Sequence, residues 1–112
     1  MAYYMIQVAY SKEAWAALIK HPHNRMERLY APIDRMEGRI IGSWLSFGEY
    51  DLVMILDLPD NAAAAAVAMT FAAGGATKSV KTTPLMTWDE GIQAMHIAGR
   101  SDYIPPHEVE GV

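Results

Sequence analysis

Positions 3 to 10 are apolar on both alternating sets: Tyr3, Tyr4, Met5, Ile6, Val8 and Tyr10 are broken only by Gln7 and Ala9. A run without polar alternation predicts a strand whose two faces are both largely covered. The period then changes. Ser11 is a helix N-cap residue, and Trp15, Leu18 and Ile19 fall on one helical stripe. Pro22 disfavours helical geometry at His21, so the helix breaks over residues 20–24. A second helix is expected from about His23 or Asn24 to Glu37, with Met26, Leu29, Tyr30, Ile33 and Met36 at helical spacing. Pro32 lacks the donor aimed at the carbonyl of Arg28 and predicts a kink. Gly38 is expected to close the helix as a left-handed cap.

Residues 39–47 and 50–57 read as two further strands, joined by Gly48-Glu49 into an antiparallel hairpin. Asp60 or Asn61 caps a helix through the alanine run, and Gly74-Gly75 ends it. Alanine is the best helix former, and it also lets a helix backbone sit unusually close to whatever it packs on; either accounts for the run. Residues 76–84 alternate as a fourth, half-exposed strand, expected to stop at Pro84. Thr87 and Glu90 form a capping-box pair before a short helix carrying Ile92, Met95 and His96 to about Ala98. The domain is therefore expected over residues 1–98. A tail, 99–112, with Pro105, Pro106 and His107, is extended or laid over a neighbouring subunit.

The order strand, broken helix, strand, strand, helix, strand is the split βαβ plan of the ferredoxin-like α+β fold. Right-handed crossovers place the helices on one face of a four-stranded antiparallel sheet. The other face is bare, yet strands one to three are apolar on both faces. Such a face needs a cover, and a second copy related by a two-fold axis supplies one. The expected partner is the chain itself, as a homodimer or higher homo-oligomer.

Composition sharpens this. At 112 residues the chain is one domain. Its apolar share, 52%, exceeds the usual figure of about 45–50%. The surplus suits a buried interface or a greasy pocket. There is no cysteine, which excludes disulfides, thiolate metal sites and cysteine nucleophiles and fits a cytoplasmic protein. The net charge of −4 and the scattered basic residues give no footprint for nucleic acid. No apolar run approaches the ~20 residues of a membrane span, and the N-terminus lacks a signal-peptide pattern. No phosphate loop or metal cluster is visible, and no cofactor is expected.

Asp51 stands at the head of the most hydrophobic segment, behind Gly48-Glu49-Tyr50. Aspartate is a poor strand former, so it needs a reason to be there. It either locks the hairpin by accepting hydrogen bonds or contacts a ligand at the sheet end. Tyr50 is expected on the opposite face from Asp51. Gly48, Tyr50 and Asp51, followed by an apolar strand, Pro59-Asp60 and an alanine-rich helix, resemble the GYD domain family. The resemblance spans residues 3 to about 96. It implies a ferredoxin-like, dimeric α+β-barrel type of fold and brings no catalytic residue with it.

His21-Pro22-His23 is the one pair of histidines close in sequence. It has no evident third metal ligand and reads as a solvated helix break, with acid–base work or axial contact to a haem-like ligand as sharper alternatives. Trp44 and Tyr30, with Tyr50, Asp51, His21 and His23, complete the candidate ligand-binding set. The expected function is a small-molecule-binding or auxiliary homo-oligomer with an aromatic-lined cleft. The alternatives are a cofactor-independent monooxygenase, isomerase or cyclase acting on a small aromatic or polyketide-like substrate, and a purely structural oligomer.

Overall fold

The computed structural model describes residues 2–106. The elements are β1 (Ala2–Tyr10), α1 (Lys12–Lys20), a 3-10 turn (Arg25–Arg28), α2 (Tyr30–Arg35), β2 (Arg39–Leu45), β3 (Leu52–Leu58), α3 (Asn61–Ala73), β4 (Thr77–Leu85) and α4 (Trp88–Gly99). The strands lie in the order β2-β3-β1-β4, every neighbouring pair antiparallel. This is the expected ferredoxin-like α+β arrangement.

The core lies between the sheet and α1 to α3. Tyr4, Ile6, Val8 and Tyr10 of β1 sit beside Leu52, Met54, Leu56 and Leu58 of β3 and are buried with them. Met26, Ile33, Ala64 and Val67 close the layer from above. Each fully buried Ile, Leu, Met or Val contributes roughly 1.5–3 kcal/mol relative to exposure. Three caps behave as their residue types dictate. Ser11 accepts from the Ala14 amide, Asp60 from the Ala63 amide, and Thr87 and Glu90 form the full capping box. The Tyr4 hydroxyl donates to Asn61 Oδ1 at 2.6 Å, which ties α3 to the first strand.

Five local expectations are corrected. The helix expected up to Glu37 is two pieces. Asn24 caps the 3-10 turn by accepting from the Met26 amide, and α2 begins only at Tyr30. Pro32 is therefore in the first turn of α2, where a missing N–H breaks nothing and no kink is needed. The left-handed residue is Glu37 (φ 62°), not Gly38, and the Gly38 amide donates to the Ile33 carbonyl. Gly38 is required for space instead: a Cβ there would overlap Leu58 Cδ2 and come within 3.1 Å of the Asp57 carbonyl. β3 starts at Leu52, so Asp51 precedes the strand. Pro84 does not stop β4, which runs to Leu85 with Pro84 opposite Tyr4. β4 is an edge strand, paired on one side alone, and an edge tolerates a residue without a donor.

Among the described residues no helix packs on the second sheet face, and most of its apolar side chains are only half-buried. Register and alternation put Met5, Gln7, Val53 and Ile55 on it, with Tyr3 and Trp44 exposed beside them. A cross-strand ion pair, Arg39 to Asp57 at 3.0 Å, sits at one end. α4 stands off the body, and every residue in it except Gly91 is exposed. The radius of gyration is accordingly 18.9 Å, against roughly 13 Å for a compact domain of this length. No helix among the described residues is long and apolar enough to cross a membrane.

Candidate functional site

Asp51 is where three elements meet. Its Oδ2 accepts from the Tyr10 amide at 2.9 Å and from the Trp15 indole N–H at 3.2 Å. Its own amide donates to the Val8 carbonyl, and its carbonyl accepts from Ser46. One residue thus fastens the start of β3 to the end of β1, to α1 and to the hairpin. The acid at the head of the apolar strand is a lock, and a wider one than a hairpin lock. The Trp15 and Tyr10 rings meet edge to face, with centroids 5.5 Å apart.

That cluster forms one wall of a cleft of about 760 Å³ at the end of the sheet. Trp15, Leu18 and Ile19 come from α1, His23, Asn24 and Arg25 from the following break and turn, and Ser43, Trp44 and Leu45 from β2. The break at Pro22 turns the chain after α1, so that residues 23–25 border the opening. His23 Nδ1 lies 2.7 Å from the His21 carbonyl. A carbonyl only accepts, so Nδ1 carries the proton and Nε2 of the neutral ring is left as the basic nitrogen. Behind the cleft is a smaller cavity of about 210 Å³ between the sheet, α2 and α3, lined by Leu29, Ile33, Met36, Val67 and Phe71. Tyr10, Arg25 and Leu52 line both spaces.

The Tyr10 phenol is pushed above its ordinary pKa by burial, with Arg25 opposing and Asp51 assisting that rise. It is therefore protonated at neutral pH, a hydrogen-bond donor at the junction of the two spaces. Arg25 makes no ion pair among the described residues.

Of the candidates from sequence, the structure brings His23 and Trp44 to the cleft and puts Asp51 behind its wall. The Trp44 ring reaches back over Gly42, where a Cβ would fall 2.7 Å from its Cη2 atom. His21 is exposed and meets the site only through its carbonyl. Tyr50 is half-buried and accepts from the Ser46 hydroxyl through its own carbonyl. Tyr30 lines a separate surface depression beside Asp34 and Arg39. Arg25 was not among the candidates. On an expected helix it is one more solvated charge, and no spacing marks it. His96 is exposed in the last turn of α4, and His107 lies outside the described residues. Among the described residues no three His, Asp or Glu side chains gather as a metal site would require.

No curated protein matches the chain. The sequence pattern that defines the GYD domain matches residues 4–95, from the first strand through most of α4, and the chain belongs to the GYD domain family.

Proposed function

We propose that this protein binds a small, largely apolar molecule in the cleft between α1, the 3-10 turn and β2, and that it does so as a homo-oligomer. The cleft itself carries the reading. Its volume of about 760 Å³ falls within the ~300–1,000 Å³ of small-molecule sites. Its walls are largely aromatic and aliphatic with a few polar groups among them, which is the composition such sites have. The apolar open face of the sheet supports the oligomer, since a second copy is the simplest cover for it. A chain without cysteine suits the reducing cytoplasm, the setting this reading assumes.

The test uses 2-naphthylmethanol as a flat apolar probe, followed by calorimetry. Saturable binding of one probe per protomer is expected, and it is lost in Ile19→Arg. Ile19 lines the cleft and is 74% exposed, so the substitution blocks the site without touching the core. Absence of saturable binding, or binding indifferent to Ile19→Arg, contradicts the reading.

A second reading, a cofactor-independent enzyme, is favoured by one observation. His23 holds a basic imidazole nitrogen at the edge of a greasy cleft, as proton abstraction from a bound substrate requires. Turnover of any bound aromatic compound that vanishes in His23→Gln, with the melting temperature unchanged, separates an enzyme from a binding protein.

A further inference from the structure

We infer that the ligand of the cleft is an anion: a flat aromatic or aliphatic body bearing one carboxylate or enolate, paired with Arg25. The inference rests on the binding reading above and adds the charge of the ligand. Among the residues that line the cleft there is no acid, and Arg25 is the one permanent charge. It lies where the cleft and the inner cavity meet, beside the protonated hydroxyl of Tyr10. Asn24 and Ser43 also line the cleft, and the Asn24 carboxamide oxygen is already engaged by the Met26 amide. The protein as a whole carries a net charge of −4, so a guanidinium without an ion pair among the described residues, in a cleft lined by no acid, is a local reversal of sign. A planar guanidinium matches a carboxylate with two parallel hydrogen bonds.

Calorimetry with 2-naphthoate against its neutral counterpart 2-naphthylmethanol tests this. The anion is expected to bind at least tenfold more tightly. Arg25→Gln is expected to bring it down to the affinity of the alcohol while leaving the alcohol unaffected. Arg25 is exposed and lies outside the core, so the variant folds. Equal affinities in the wild type overturn the anion inference and leave the binding reading intact. No binding of either compound overturns both.

A separate observation carries a second inference. We infer that α4 docks on the body of a second copy of this chain. Residues 91–99 contain no Asp, Glu, Lys or Arg, yet Ile92, Met95 and Ile97 are all largely exposed, as is Trp88 at the start of the helix. An isolated helix of this length is marginal in water and takes its stability from packing an apolar face. Area points to the second copy. Four strands of seven to nine residues present a face of about 500 Å². An interface of standard size buries about 800 Å² per partner. One side of a twelve-residue helix adds about 300 Å². Sheet face and arm together reach that standard size, whereas the sheet face alone sits at the lower bound of about 500 Å² per partner.

The chain's lack of cysteine makes the test clean. Met95→Cys in the full chain, labelled with a benzophenone maleimide, is mixed in equal parts with unlabelled 15N protein and irradiated. Cross-linked pairs of one light and one heavy chain are expected. Cross-links confined to single chains, or none in a sample that sediments as a dimer, overturn the docking of α4. A sample that sediments as a monomer overturns the oligomer reading as well.

Discussion

The two sides of the sheet differ in self-sufficiency. On the helix side, β1 and β3 meet α1 to α3, the N-caps of α1 and α3 are filled and the core side chains are closed off from water. On the other side, Met5, Val53 and Ile55 are only half-buried, Trp44 is exposed, and α4 stands off the body. The first region is stabilised by contacts within one chain. The second has the composition of a core but only half of its burial. Burial in a core depends on sequence and register alone, but burial at an interface also depends on concentration. Substitutions in the two regions should therefore fail in different ways.

The largest effect is expected in the core. Leu56→Ala, at a fully buried position, should cost about 2–5 kcal/mol, equally at every protein concentration, as read by urea denaturation. An equal loss on dilution of the wild type would blur the distinction between the regions. Asp51→Ala leaves the Tyr10 amide and the Trp15 indole without an acceptor, at about 1–3 kcal/mol for each unmet donor. Asp51→Asn keeps one acceptor oxygen and should lose much less. If the two variants lose the same stability, the lock depends on charge, not on hydrogen bonding. Gly38→Ala forces a methyl group against Leu58 and should cost about 1–3 kcal/mol.

Smaller effects belong to the exposed region. Thr87→Ala removes the N-cap of α4, worth about 1 kcal/mol of helix stability. It should increase amide exchange in residues 88–99 and leave the core amides unchanged. Glu90 closes the capping box, and its carboxyl is held below the ordinary value by the Thr87 backbone hydrogen bond, then by the Thr87 hydroxyl. A lowered folded-state value means the contribution is complete above the ordinary 4.5 and is lost as pH falls through the folded value. Exchange in α4 should rise in acid before the core responds, and Glu90→Gln should weaken that acid dependence.

The comparison also explains what the sequence disclosed. Strand order, the Ser11, Asp60 and Thr87 caps and the two-sided apolarity of β1 are local or periodic signals, and local signals survive folding. Asp51 was recognisable as anomalous, but its partners Tyr10 and Trp15 lie 41 and 36 positions away, beyond any spacing rule. Gly38 was marked as special for a conformation that Glu37 adopts instead, because a close approach to Leu58 leaves no trace in sequence. The helix of residues 24–37 broke because the Asn24 cap favours a tight turn over a continuous helix. Arg25 could not be singled out at all. A surface cation acquires meaning only when the fold sets it in one cleft with Trp15, Leu18 and Leu45 and lines that cleft with no acid.

Sedimentation equilibrium of the unmodified full chain, followed down through micromolar concentrations, asks most directly whether the uncovered layer is met by a second copy. The account predicts a species of at least twice the 12.4 kDa protomer mass, dissociating only on further dilution. A single, well-behaved 12.4 kDa species at every concentration would contradict it.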